Sequence, residues 1–270
     1  NKESIICGWD LIKSTSKKNN TRLIPVDSEH FSLMNLLNNH KNDEIEKIYL
    51  TASGGPFLNF KVHQLKKILP KQALRHPKWK MGKKISVDSA TLMNKILELV
   101  EAQKIFNLPF NKLDILIHPE SLVHAILKLK NGLVKFVYHD TSMKIPIANA
   151  IFDGKLKITE FISNTNNYRK NASIKNLFFK PVSKKIFPII KVKSKINEFP
   201  SSPIIINAVN EVLVDQFLQK KIPFLRINKI IMGILKDRYY KKYAIRRPKN
   251  ISQILEINNW AKKTTLKKLR

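Results

Sequence analysis

Residues 113–139 read LDILIHPESLVHAILKLKNGLVKFVYH, and this stretch decides the fold class. Leu113 to Ile117 is an apolar run of strand length. Ser121–Lys130 and Leu133–His139 then flank Asn131-Gly132, a dipeptide that turns a hairpin because both residues tolerate positive φ. An antiparallel pair therefore lies within the chain. Ile45–Thr51 reads as another strand, and Leu23-Ile24-Pro25-Val26 as a short buried one that Pro25 keeps near an edge or end. Helical periodicity marks 4–18, 29–38 and 89–105. Strands and helices mix up to residue 155 or so, which predicts an α/β (α+β) domain with a mixed sheet.

Residues 163–188 are rich in Asn, Lys and Ser without a firm period and read as a linker, although a helix is expected from 184 to 192. Helices are further expected at 203–220, 226–242 and 251–268, with Pro203 at a helix start where its missing N–H costs nothing. An all-α C-terminal helical bundle follows from that pattern. Lys71 to Lys84 has no clean period and reads as a long loop.

The chain has 270 residues, 50 Lys+Arg against 20 Asp+Glu, and a net charge of +30. Such a field attracts anions of every kind, nucleic acid included. The basic residues are spread through the chain without an RNA-binding signature, so compositional drift, with Lys, Asn and Ile elevated together, is favoured over a dedicated nucleic-acid surface. No apolar run approaches the roughly 20 residues of a spanning helix, so no membrane partner is expected. Cys7 is the only cysteine, which excludes an intramolecular disulfide framework and Cys-rich zinc sites. The first residue is Asn1 rather than Met, and the chain is expected to be a piece of a longer protein.

Two segments carry possible chemistry. In Val26-Asp27-Ser28-Glu29-His30 an extended backbone would point Asp27 and Glu29 to one side, where a hard divalent cation could sit between them, although such a pair read alone is more often a solvated turn or a helix cap. In the helix after Asp88-Ser89, one face gathers Leu92, Met93, Ile96, Leu97, Leu99 and Val100, and the other gathers Asn94, Lys95 and Glu98. Asp88 or Ser89 could cap its start, where exposed N–H groups favour an anion. Read alone, that polar face is more simply a solvated one with a Lys95–Glu98 pair. Ser53-Gly54-Gly55 lacks the context of a dinucleotide fingerprint but could approach a phosphate, and otherwise is a turn. His76 and Trp79 read equally as an exposed histidine and a packing indole.

Taken together, the strings resemble the 1-deoxy-D-xylulose 5-phosphate reductoisomerases. They are Asn1-Lys2-Glu3-Ser4, Pro25-Val26-Asp27-Ser28-Glu29-His30, Ser53-Gly54-Gly55-Pro56-Phe57 and His76-Pro77-x-Trp79-x-Met81-Gly82. Lys84 to Lys95, Ile117-His118-Pro119-Glu120-Ser121, Asp140-x-Ser142-Met143-Lys144 and Asn207-Ala208-x-Asn210-Glu211 continue them in family order. The resemblance implies a metal- and NADPH-dependent enzyme that rearranges 1-deoxy-D-xylulose 5-phosphate and reduces the product to 2-C-methyl-D-erythritol 4-phosphate, in isoprenoid-precursor synthesis.

It also implies roles. Asp27, Glu29 and Glu98 would ligate Mg²⁺, Mn²⁺ or Co²⁺. Ser53, Ser89, Asn94 and Lys95, assisted by His76, would hold the substrate phosphate. Lys2 and Ser28 would contact the phosphorylated sugar, Asn1, Glu3 and Gly82 would lie against NADPH, and 76–82 would be a flap packing Trp79 on the substrate. Residues 1–26 would end a dinucleotide-binding domain, 27–162 would be the catalytic domain and 189–270 the helical domain after the linker. A homodimer is implied, in the cytoplasm of a bacterium or a plastid-type organelle of another host. Two positions depart from the pattern: Ile96 stands where the family usually has Gly, and Leu58 where it has Arg. Extra bulk at Ile96 is expected to cost ~1–3 kcal/mol if the site is tight. The competing readings are a degenerate, non-catalytic homologue and a basic nucleic-acid-binding protein.

Overall fold

The computed structural model of the chain describes residues 1–79, 81–155 and 176–269. Residues 163–175 of the expected linker, 156–162 of the expected catalytic domain and Lys80 of the expected flap lie outside the described residues. By compactness the chain forms two units, each discontinuous in sequence: 22–53 with 114–181, and 1–21 with 54–113 and 182–270.

The first unit is built on a sheet. Among the described residues its strands are β1 (Ile45–Ala52), β2 (Leu113–Ile117), β3 (Val123–Leu129), β4 (Val134–Tyr138) and β5 (Lys180–Pro181), in the order β4-β3-β1-β2-β5. β3 runs antiparallel to both β1 and β4, and β5 antiparallel to β2. The antiparallel pair expected from 113–139 is thus present. Its turn differs from a two-residue Asn-Gly connection: Gly132 N–H bonds Leu129 C=O at 3.1 Å, and only Gly132, at φ 88°, is left-handed. This is a turn centred on Lys130-Asn131, followed by a glycine that restores the register.

Helix α2 (Ser28–Leu37) packs on β3 and β4, and β3 is buried along nearly its whole length. The strand expected over Leu23–Val26 does not form. These residues are irregular, with Leu23 and Val26 on the surface, because a four-residue run containing Pro25 has too few N–H donors to join a ladder. The extended pairing of Asp27 with Glu29 fails with it. Asp27 caps α2, taking the Glu29 N–H at 3.1 Å, and Glu29 lies in the first turn.

The second unit is helical. It contains α1 (Lys2–Lys18), α3 (Pro70–Ala73), α4 (Lys83–Thr91) and α5 (Met93–Phe106), then α7 (Lys193–Ile196), α8 (Ser202–Leu218), α9 (Phe224–Ile234), α10 (Tyr240–Ala244) and α11 (Ile251–Leu269); α6 (Lys144–Phe152) belongs to the sheet unit. Asn1 caps α1 through Ser4 N–H at 3.1 Å, Glu3 lies in its first turn and Lys17 and Lys18 in its last, all favourable to the helix dipole. Phe224 sets its ring edge-on to Phe57 at 5.2 Å and to Phe217 at 5.6 Å, tying the C-terminal helices to the segment after residue 54.

The single helix expected over 89–105 is two, broken at Leu92, which adopts φ 73°. Asp88 and Ser89 lie inside α4 and cap nothing. The run expected at 226–242 also splits, with Leu235–Tyr239 between α9 and α10, and 184–192 supplies only a 3-10 turn at Pro188–Val192. The expected loop at 71–84 contains most of α3 and the start of α4. No helix among the described residues is long and apolar enough to cross a membrane.

Candidate active site

Helix α5 is buried on every side. Ile96, Leu97, Leu99 and Val100 are inaccessible, and so are its charged residues: Lys95 is 5% exposed, Glu98 1% and Glu101 3%. A solvated polar face is therefore excluded. Buried charge survives only when matched, and here it is. Glu98 takes Lys95 Nζ at 2.5 Å, Lys2 Nζ at 3.6 Å and the side-chain amide of Asn94. Lys2 Nζ reaches Glu101 Oε2 at 2.6 Å. Two ammonium groups thus face two carboxylates around Glu98. Asn94 keeps its Oδ1 buried with no hydrogen-bond partner.

A second network braces the start of α1. Lys84 Nζ lies 2.8 Å from Asp88 Oδ2 and 3.1 Å from Glu3 Oε1, and Asn210 of α8 donates to Asp88 Oδ1 at 2.7 Å. Burial alone would lower the Lys84 pKa, but Asp88 and Glu3 outweigh it and raise it. Burial pulls Glu3 upward, and its backbone hydrogen bond together with Lys84 and Lys2 brings it below the ordinary carboxylate value.

His76 Nδ1 accepts the backbone N–H of Trp79 at 2.9 Å and of Lys78 at 3.2 Å. Burial, with Lys95 nearby, pushes its pKa down to about 4. The ring is neutral at pH 7 with Nδ1 accepting, so Nε2 carries the proton and can donate to an anion. Gly82 caps α4, and a Cβ there would meet nothing within 4 Å. Ser89 is held close to Gly55: a Cβ on Gly55 would stand 3.1 Å from Ser89 O, and Gly55 has φ +61°.

In the sheet unit, Ser28 Oγ donates to Glu29 Oε2 at 2.7 Å, His124 Nδ1 lies 3.8 Å from Glu29 Oε1, and His30 Nδ1 lies 3.5 Å from Asp27 Oδ1. His124 stacks on His139 at 4.2 Å, and His139 contacts Ser32 at 3.3 Å. Burial, then the charge of His124, pushes His139 down to about 4. Ser53 follows β1 directly.

Within the helical unit, then, the structure brings Lys2, Asn94, Lys95 and Glu98 together, and places Glu3, His76, Trp79, Gly82, Ser89 and the Asn1 cap on neighbouring elements. Within the sheet unit it brings Asp27, Ser28 and Glu29 together, and Ser53 stands just past the end of β1. Sequence reading missed Glu101, Asp88, Lys84, Asn210 and His124 as members of these networks. Glu101 was detectable as i+3 from Glu98, and Asn210 as an amide inside the apolar run PIIINAVNEVLV.

Comparison with known proteins adds independent findings. Residues 23–106 match the model of the 1-deoxy-D-xylulose 5-phosphate reductoisomerase C-terminal domain, and 140–264 match that of the DXP reductoisomerase C-terminal domain. The reductoisomerase of Thermodesulfovibrio yellowstonii is 35% identical over 100% of this chain and 68% of its own length. The chain belongs to the 1-deoxy-D-xylulose 5-phosphate reductoisomerase family. The reductoisomerase of Pelagibacter ubique is 47% identical over 96% of this chain and 66% of its own length. A crystal structure of DOX-P reductoisomerase in complex with NADPH, fosmidomycin and magnesium aligns with TM-score 0.87 at 30% identity, covering all of this chain and 68% of that one. The chain thus spans somewhat less than two thirds of the Pelagibacter relative. The resemblance read from the motifs is borne out, as are the sheet-containing domain and the helical C-terminal region.

Proposed function

We propose that this chain is the catalytic and C-terminal part of an enzyme that converts 1-deoxy-D-xylulose 5-phosphate into 2-C-methyl-D-erythritol 4-phosphate with NADPH and a divalent cation. The observation that carries the reading is the buried set on α5, in which Glu98 is surrounded by Lys2, Asn94 and Lys95. Buried ionised groups of both signs are costly for a fold and useful to a site that must hold a metal and a phosphate. The family membership and the NADPH, fosmidomycin and magnesium of the related crystal structure support the same reading.

Asp27, Glu29 and Glu98 are the proposed metal ligands. An all-carboxylate set suits Mg²⁺, Mn²⁺ or Co²⁺, since hard cations take oxygen donors. Lys2 and Lys95 lie against Glu98 as counter-charges. A bound cation supplies Lewis-acid polarisation of substrate oxygens, and NADPH supplies the hydride.

This chain's own groups do the rest. Lys95 and Asn94, with Ser89, Ser53 and the Nε2–H of neutral His76, bind and orient the phosphate. Ser28 and Lys2 contact the sugar, and Lys2 also balances Glu101. Trp79, on the segment between α3 and α4, covers the carbon chain and excludes water. Asn1, Glu3 and Gly82 lie against NADPH, where the missing Cβ of Gly82 leaves room. Residues 1–26 would close a dinucleotide-binding domain, 27–162 form the catalytic domain, and 189–270 the helical domain beyond the 163–188 linker.

A homodimer fits the edge of β4, the outer strand of the sheet among the described residues, where Val134 and Phe136 are 56% and 47% accessible. A bacterial host would place the enzyme in its cytoplasm. The ligand set is tested by Mn²⁺ titration calorimetry on the full-length protein. Glu98→Gln is expected to weaken binding strongly, and an unchanged affinity in a folded variant overturns the assignment.

A further inference from the structure

The last helices of the chain shape a groove of about 710 Å³ that plays no part in the proposed reaction. Arg238, Lys242, Lys263, Lys267 and Lys268 line it, all exposed. Its two carboxylates are already matched: Lys268 lies 3.3 Å from Asp237, and Arg246 grips Glu256 with two bonds of 2.6 and 2.7 Å. No ion pair is seen for Arg238, Lys242, Lys263 or Lys267 among the described residues. Aromatic faces lie among these cations. Tyr239 is 48% exposed, with the Arg238 guanidinium 4.6 Å above its ring, and Tyr243 stacks on Trp260 at 4.4 Å and 15°.

A net charge of +30 draws anions to the whole surface; this groove differs in gathering, around aromatic rings inside a concavity, Arg238, Lys263 and Lys267 without an ion pair among the described residues, and Lys242 whose charge acts on Glu256. Single strands of nucleic acid are held in this way, by cations along the backbone and rings on which unstacked bases lie. A lipid surface is too flat to enter a groove, and an acidic peptide has no need of the rings. We propose that the groove binds a segment of single-stranded nucleic acid, with phosphates on Arg238, Lys242, Lys263 and Lys267 and a base against Tyr239.

The test is fluorescence anisotropy of a short labelled oligouridylate with the full-length protein, titrated at several salt concentrations. Contacts to three or four phosphates give log K a slope of roughly −2 to −3 against log salt. Lys263→Gln with Lys267→Gln is expected to make the slope shallower by about 1.4 and to lower affinity about tenfold, while Lys17→Gln with Lys18→Gln on α1 changes affinity less than about twofold. Tyr239→Ala is expected to cost roughly fivefold or more. Circular dichroism verifies that each variant folds. Equal losses from both lysine pairs would mean diffuse attraction and overturn the proposal. So would no binding, a silent Tyr239→Ala with inorganic polyphosphate competing as well as the oligonucleotide, or phosphatidylglycerol vesicles bound through the same lysines in preference to it.

Discussion

Lys2 Nζ stands 2.6 Å from Glu101 Oε2, so the first turn of α1 is pinned to the third turn of α5 by a pair with little access to water. Glu98, one helical turn earlier on α5, shares the same lysine at 3.6 Å. Lys2 is therefore held by two carboxylates, and its position depends on both.

Removing Glu101 leaves a largely buried ammonium short of one partner. Glu101→Ala is expected to lower unfolding free energy by about 3 kcal/mol. Urea titrations of Glu101→Ala, Lys2→Met and the double variant should give a coupling of about 1 kcal/mol or more. Additive losses would mean that the pair contributes nothing beyond its separate parts.

Ile96, which the motif resemblance expects to stand in place of Gly, is wholly inaccessible on α5. Ile96→Ala is expected to cost about 2–4 kcal/mol through the cavity it leaves. Ile96→Gly adds roughly 1 kcal/mol for backbone freedom in a helix interior. A thermal melt in which Ile96→Gly matches or exceeds the parent would show the isoleucine to be overpacked. Leu58, the other departure, packs over Gly54, where a Cβ would stand 2.8 Å from its Cδ1.

The two glycines beside the proposed site should behave oppositely. Gly55→Ala meets both a left-handed backbone and the Ser89 carbonyl, and should cost about 1–3 kcal/mol. Gly82→Ala faces open space at a helix cap and should cost only about 0.5 kcal/mol. If the proposed cofactor contact holds, Gly82→Ala in the full-length protein should nevertheless raise KM for NADPH while leaving the melt almost unchanged. An unaltered KM removes Gly82 from the cofactor contacts.

Acid should weaken the fold through two histidines. His76 and His139 are pushed to about 4 by burial, against about 6.5 in an unfolded chain. Between those values the unfolded state binds more protons, so the stability these rings contribute is complete above about pH 6.5 and is lost as pH falls towards 4. Urea midpoints should drop across that window, and His139→Gln should flatten the drop. A flat profile in the parent would contradict the shifts.

Much of this was legible in the residues. β1, β2 and the β3–β4 pair follow from apolar runs and the Asn131-Gly132 turn, and α1, α8 and α11 from long helical periods. The break at Leu92 was not legible, because a leucine in the left-handed region leaves no mark in a periodic pattern and the apolar spacing runs through it. Leu23–Val26 misled because four apolar residues look like a strand whether or not a neighbouring edge accepts them. Glu98, Lys95 and Asn94 were visible as a face, but their burial depends on cover from α1, α4 and α8, far away in sequence. Glu101 fell outside the motif strings; its i+3 spacing from Glu98 was visible, but its pairing with Lys2 was not.

The most direct test of the account is NADPH oxidation by the full-length protein with 1-deoxy-D-xylulose 5-phosphate and Mn²⁺, with and without EDTA, for the parent and for Glu98→Gln. The account predicts oxidation that needs the substrate, stops with EDTA and is lost in a folded Glu98→Gln protein. Oxidation indifferent to EDTA or to Glu98→Gln, or none at all from a folded parent, would contradict it.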